Sequence, residues 1–268
     1  MLMKMKKKLQ PNQPFKKPNF WGAEKPILIA HRGGDAAGVS KENTLAAFSA
    51  ASKLGYEYGE TDVVLSSDGK VVALHGSKNK LDSFFKKGRP SRPVIQRMSF
   101  QKILEHVSVG GEKVPLLEDI LKAQPKMRFF IDPKTDEVVE PLAELLKRLR
   151  VLDRVCVNSF NYRRLQRLLK LLEPYKVTAA VIVGRGIRLT NKNLDMLKEG
   201  RAKNIDGVHL HHSHVSRAMV DLLHSHNIKV LIWTTNTPLA ITNALKSGAD
   251  GIISDDIRLL KEIAEPTN

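Results

Sequence analysis

His31 and Arg32 stand at the end of a short apolar run, in "ILIAHRGG" (27–34), and a loop then leads to "ENTLAAF" (42–48). Further along, "ETDVVLSSDGKVVALH" (60–75) carries Glu60, Asp62 and His75, and "RFFIDPK" (128–134) carries Asp132 and Lys134. A histidine titrates near neutral pH and can both take and give a proton. Two carboxylates held side by side repel each other unless they share a proton or bind a cation. A metal held by carboxylates can bridge to a phosphate oxygen, which suits a protein that attracts anions. These residue types therefore point to chemistry on an anionic, phosphate-bearing substrate.

The elements that would position them follow from hydrophobic patterning. Apolar, β-branched runs recur as "ILIAH", "ETDVVL", "VVALH", "RFFID", "VCVNSF", "TAAVIV", "GVHLHH", "VLIWTT" and "GIISDD". Helical patterns such as "NTLAAFSAASKLG" and "YRRLQRLLKLL" separate most of them, which predicts βαβ units and a parallel sheet covered on both faces. Asp68-Gly69 is a two-residue hairpin signal, too short for a parallel crossover, so "VVALH" is an antiparallel return arm. Eight parallel runs remain. The expected fold is a (β/α)8 TIM barrel with an extra β-hairpin arm and a small insertion after strand 2, its site at the C-terminal face. Read as a two-residue loop, the hairpin places Asp62 opposite His75, with Glu60 on the same face as Asp62. Asp132 closes the next strand, where Pro133 marks the exit.

Residues 1–25 are expected to form a basic, flexible arm and 26–264 a single catalytic domain, with 75–115 as an insertion or lid region. The chain holds 44 Lys and Arg against 28 Asp and Glu, a net charge of +16. The first 26 residues contribute seven lysines and one glutamate, and a second basic block spans 147–170. Such a surface attracts phosphate esters, nucleic acid or acidic lipid without naming one of them. No run reaches the length of a membrane span, and the start lacks the apolar middle of a secretion signal, so a cytoplasmic location is expected. The lone Cys156 forms no internal disulfide and reads as a small apolar strand residue.

In order and spacing, "HRGG", "ENTLAAF", "ETDVVLSSDGKVVALH", "VPLLEDIL", "FFIDPK", "NSFN", "WTTNT" and "GADGIISDD" together resemble the glycerophosphodiester phosphodiesterase family over about residues 26–262. The resemblance implies a TIM barrel that hydrolyses a glycerophosphodiester to glycerol 3-phosphate and an alcohol. It implies a divalent metal, Mg2+ or Ca2+, at Glu60, Asp62 and Asp132, an acid–base pair at His31 and His75, and Arg32 on the phosphate, with Lys134 assisting. Two departures stand out: Asp132 where the family usually has Glu, and Gly76 where it usually has Asp.

Around that set, Glu42 and Asn43 are read as partners that orient His31 or Arg32, against the alternative of capping the following helix. Trp233 is read as an apolar wall for the substrate, against core packing. His211 is placed to touch the substrate, whereas "HLHHSH" (209–214) is set aside as a metal cluster, and "GRGIRLT" (184–190) lacks the Lys-Ser/Thr of a nucleotide loop. The expected partner is a small glycerophosphodiester. The alternatives are a lysophospholipase D-like enzyme drawn to anionic membranes, and a non-catalytic barrel that binds nucleic acid or acidic lipid through its basic surface. No nucleic acid is expected, since basic and aromatic residues do not interleave.

Overall fold

The computed structural model describes residues 20–22, 26–38, 41–76, 92–185 and 204–266. Eleven strands lie along them: β1 (Ile27–His31), β2 (Tyr58–Leu65), β3 (Val71–Ala73), β4 (Ser108–Val109), β5 (Glu112–Lys113), β6 (Arg128–Pro133), β7 (Val155–Ser159), β8 (Thr178–Ile182), β9 (Gly207–His211), β10 (Lys229–Trp233) and β11 (Gly251–Ser254). Eight of them, β1, β2 and β6 to β11, form one parallel sheet. It closes because β1 pairs with both β2 and β11. This is the (β/α)8 barrel, with β3 antiparallel to β2 outside it.

The strands are apolar on both faces because both are covered. Outward residues such as Phe129, Val155 and Ile252 meet the helices in the main core. Inward residues Ile29, Tyr58, Phe130, Cys156, Leu231 and Ile253 fill the barrel itself. Helix Tyr162–Leu172 shows how the basic block is used. Leu165, Leu168 and Leu172 are buried at helical spacing, while Arg163, Arg167 and Lys170 face solvent.

The hairpin register differs from the sequence expectation by one residue. Val63 pairs with Ala73 and Leu65 with Val71. The Ser66 amide donates to the Lys70 carbonyl at 3.0 Å and the Gly69 amide to the Ser66 carbonyl at 3.1 Å. Gly69 sits at φ 75°. The loop is therefore three residues long and ends in a left-handed glycine, a turn that Asp68-Gly69 serves as well as the two-residue one. Leu74 rather than His75 lies across from Asp62, its amide donating to the Asp62 carbonyl at 2.9 Å.

Within the 75–115 region, two short helices, Arg92–Ile95 and Phe100–His106, and the β4–β5 ribbon pack Ile95, Ile103, Val107 and Val114 onto Val64, Val72 and Leu74. They form a satellite core on the hairpin. Residues 77–91 of that region lie outside the described residues, as do 1–19 of the arm. The last part of the arm's expected span behaves otherwise. Phe20 is fully buried at the N-terminal mouth of the barrel, edge-on to Tyr58, Phe130 and Trp21. Tyr58 Oη donates to the Phe20 carbonyl at 3.0 Å and accepts from the Gly22 amide at 2.7 Å. The basic arm therefore ends in an aromatic plug. Phe20→Ala is expected to destabilise the protein by about 3 kcal/mol, the low end for a buried Phe→Ala change because this terminal segment can collapse. Urea denaturation measures it, and an unchanged midpoint would mean that the plug adds no stability.

Candidate active site

The sequence builds the first corner of the site by forcing the backbone. Arg32 has φ 53°, and Gly33 and Gly34 follow at 87° and 72°. A Cβ on Gly33 would lie 2.7 Å from Ala47 Cβ, and one on Gly34 2.5 Å from Ile257 Cγ2. The two glycines let the chain turn tightly off β1, Gly33 against the helix Leu45–Lys53 and Gly34 against the helix Ile257–Ala264. The turn aims the Arg32 amide at Glu60 Oε2 (3.2 Å). Its guanidinium reaches Glu42 Oε2 (2.9 Å) and lies 2.7 Å from Asp62 Oδ2. Asn43, also left-handed at φ 58°, accepts from Thr61 Oγ1 at 2.8 Å and from the Asp62 amide at 3.2 Å. The cap of the following helix is Thr44, whose side chain accepts from the Ala47 amide. Glu42 thus touches Arg32, and Asn43 braces β2 beneath Asp62.

His31, the last residue of β1, lies beside β11 because the barrel closes there. Its Nδ1 is 2.5 Å from Asp255 Oδ1. Asp255 Oδ2 accepts from Asn236 at 2.6 Å, and the Asp255 amide donates to the Asn236 side chain at 2.9 Å. Burial opposes the Asp255 charge, but the hydrogen bond and charge of His31 outweigh it and hold this carboxyl down to about 2. An ionised Asp255 holds a proton on His31 Nδ1, so the tautomer is set by its partner. The opposite nitrogen, Nε2, is 3.7 Å from Glu60 Oε2.

Glu60, Asp62 and Asp132 are all buried, and Asp62 and Asp132 are direct register partners on β2 and β6. Lys134 Nζ joins them, 2.5 Å from Asp132 Oδ2 and in contact with Asp62 Oδ1. Burial would raise Asp62, but Arg32, Lys134 and His75 hold it ionised and far below the usual range. Glu60 moves the other way: burial, and then the Asp62 charge, push it up to about 7. Burial also raises Asp132. For Lys134 burial opposes the charge, but Asp132, Asp62 and Glu60 outweigh it and raise its pKa, so its ammonium stays charged.

His75 reaches the same cavity from the loop after β3. Arg92 donates from Nε to the His75 carbonyl at 2.8 Å and lies with Nη2 3.4 Å from His75 Nε2. A guanidinium has only donors, so that Nε2 presents its lone pair. The cavity these groups surround has a volume of about 170 Å3, and Trp233 and Phe160 line its other side at 5.4 Å, edge to face. His211 stands behind Trp233, edge-on at 5.2 Å, with Nδ1 near Ser213 Oγ. It contacts the Trp233 wall and is not part of the cavity lining, whereas His209 is.

Sequence reasoning assigned no role to Asp255, Arg92 or Asn158, and weighed His209 only as part of a histidine cluster that it set aside. Asp255 carried a signal: an acid at the exit of the last strand must neighbour the first once the barrel closes. Arg92 carried none, since only the folding of the insertion brings it to His75.

The metal expectation meets this geometry on chemical grounds. Three buried carboxylates, one of them pushed up to about 7 by burial and then by the charge of another, are hard oxygen donors of the kind Mg2+ and Ca2+ prefer. Lys134 lies between Asp62 and Asp132, and among the described residues no three acidic or imidazole donors close on one point.

A parallel barrel with acids, histidines and cations gathered at the C-terminal ends of its strands is the frame of a TIM-barrel enzyme. A sequence profile of the glycerophosphoryl diester phosphodiesterase family matches residues 31–259, and the chain belongs to that family as a phosphoric diester hydrolase. It is 30% identical over 244 residues to the "Probable glycerophosphodiester phosphodiesterase 2" of Mycobacterium tuberculosis, covering 88% of this chain and 90% of that one. An Oleispira antarctica phosphodiesterase, solved with the product sn-glycerol-3-phosphate, superposes with a TM-score of 0.73 at 22% identity, over 90% of this chain and 97% of the other. The Thermotoga maritima glycerophosphodiester phosphodiesterase does so with 0.69 at 20% identity, over 90% and 100%. At these identities the structural likeness is one of fold.

Proposed function

We propose that the protein hydrolyses water-soluble glycerophosphodiesters to glycerol 3-phosphate and an alcohol by histidine acid–base catalysis. The observation that carries this reading is the Asp255–His31 pair, which orients the imidazole toward a cavity lined by Arg32 and Lys134. Arg32 and Lys134 hold the phosphodiester anion and neutralise charge that builds on its oxygens. Of His31 and His75, one takes the proton from the attacking oxygen and the other protonates the departing alcohol oxygen as its bond to phosphorus breaks. The attacking oxygen is that of water or of the substrate's own neighbouring hydroxyl. Glu60, Asp62 and Asp132 are the residues that would hold a divalent cation, Mg2+ or Ca2+, which would add positive charge at the phosphoryl oxygens. Glu42 and Asn43 position Arg32 and Asp62.

The lysolipid reading rests on the basic arm and the 75–99 excursion, of which residues 1–19, 23–25 and 77–91 lie outside the described residues. Among the described residues no helix is long and apolar enough to cross a membrane. The two readings separate in one assay. Glycerophosphocholine is expected to be turned over, and lysophosphatidylcholine vesicles are expected to be poor substrates with or without residues 1–19. Vesicle activity that exceeds glycerophosphocholine turnover and disappears with those residues would replace the first reading by the second.

A further inference from the structure

The two histidines of the site are held in different ways. His31 ends a barrel strand and is gripped by Asp255. His75 follows the short strand β3, outside the barrel, and the next residue, Gly76 at φ 58°, has no side chain to offer it. Its brace comes from the insertion. The chain returns to His75 at Arg92, 17 residues on, where Nε donates to the His75 carbonyl at 2.8 Å and Nη2 stands 3.4 Å from Nε2 of the ring. One edge of the guanidinium therefore spans the main chain and the imidazole of a single residue, which fixes the ring relative to its own backbone.

This placement is costly. Arg92 is 8% exposed, and among the described residues both of its side-chain hydrogen bonds go to His75 and no carboxylate pairs with it directly. Burial lowers its pKa, with the charges of Asp62 and Asp132 working the other way. A charged side chain is almost never buried without a partner ion, so Arg92 adds little to stability where it stands. Its support is nevertheless rigid. Arg92 opens the helix Arg92–Ile95, and Ile95 is fully buried against the hairpin in the satellite core. Gln96 Nε2 donates to Glu137 Oε2 at 2.9 Å, and the Ser67 amide donates to the Met98 carbonyl at 2.9 Å. Packed apolar side chains and bonds to two separate loops thus set where the guanidinium sits. His75 lines the cavity and Arg92 does not.

We propose that Arg92 is a positioning residue for His75, and that the insertion serves the reaction by carrying it. Resting on the function proposed above, this makes the satellite core part of what aligns the acid–base pair. A reacting group misplaced by about 1 Å costs on the order of 10²-fold in rate. Lysine is no substitute, because an ammonium is a point charge and cannot lie along two acceptors as a planar fork does. Since a guanidinium only donates, the brace also requires the neutral His75 ring to carry its proton on Nδ1.

The test has two arms. In the first, glycerophosphocholine turnover is followed with Mg2+ present. Arg92→Met is expected to lower kcat by roughly 10- to 10²-fold while KM stays within about twofold, and Arg92→Lys should not restore the rate. In a His75→Ala background the Arg92→Met change should cost nothing further, because the ring it positions is gone. An undiminished kcat in either Arg92 variant, a loss confined to KM, or an equal loss in the His75→Ala background would overturn the proposal. The second arm needs no turnover. Nitrogen-15 spectra of the parent above neutral pH, with the His75 signals identified by their loss in His75→Ala, should show the proton on Nδ1, and Arg92→Met should lose that preference. A parent ring protonated on Nε2 would overturn the proposal even if no Arg92 variant folds. A parent with no turnover but with His75 protonated on Nδ1 keeps the brace and sinks the proposed reaction instead.

Discussion

Replacing His31 with alanine is expected to lower kcat on glycerophosphocholine by roughly 10²–10⁴-fold, the contribution of one positioned acid or base. The geometry makes His31 the better placed of the two histidines. Its Nδ1 is held at 2.5 Å by Asp255, which is itself held by Asn236, so the ring is oriented before substrate arrives. Asp255→Asn is therefore expected to give a smaller loss, about tenfold, confined to kcat, because substrate contacts stay while orientation and tautomer are weakened. His75→Ala should resemble His31→Ala. In each case the circular dichroism spectrum and melting temperature should stay near those of the parent, since His31 is partly exposed and packs no core. A His31→Ala protein that keeps most of its kcat would remove this residue from the chemistry.

The second large effect concerns Glu60. Burial and the neighbouring Asp62 charge raise this carboxyl from 4.5 to about 7. The folded, metal-free protein then binds that proton more tightly than the unfolded chain. Stability in chelator contributed by this group is full at acidic pH and is lost as pH rises from about 4.5 through about 7. A divalent cation at Glu60 and Asp62 competes with the proton and relieves the same repulsion. Added Mg2+ or Ca2+ should therefore raise the melting temperature strongly above neutral pH and weakly in acid. Glu60→Gln should flatten the pH dependence and abolish the metal-induced shift. Asp62 differs, because Arg32 and Lys134 hold it ionised throughout. A parent protein whose melting temperature ignores both cations at every pH would leave Lys134 as the group that neutralises Asp62 and Asp132.

The barrel was legible because eight apolar runs separated by amphipathic segments admit few other closures, and one Asp-Gly turn identified the extra arm. That same turn misled on register. Asp68-Gly69 fits both a two-residue and a three-residue loop, and only the Ser66–Lys70 closure decides between them. His75 still reaches the cavity, but from the loop after β3 rather than as a cross-strand partner of Asp62. Residues at strand exits, such as His31, Arg32, Glu60, Asp62, Asp132 and Lys134, could be collected from sequence because a barrel brings all strand ends to one face. Asn158 in "NSFN" and His209 in "HLHHSH" stood in motifs the sequence singles out, but neither received a role there, for a buried Asn or His on an apolar strand reads as a satisfied core residue once a metal cluster is set aside. Phe20 was hidden by composition: the lysines around it describe the arm, and one aromatic side chain decides where the arm ends.

The most direct test of the account is release of glycerol 3-phosphate from glycerophosphocholine by the full chain, measured in chelator and then with Mg2+ or Ca2+ restored. The account predicts no release in chelator and release that returns with one of the cations and is lost again in His31→Ala. Release undiminished in chelator would contradict the metal assignment at Glu60, Asp62 and Asp132. No release under any condition would contradict the proposed reaction itself.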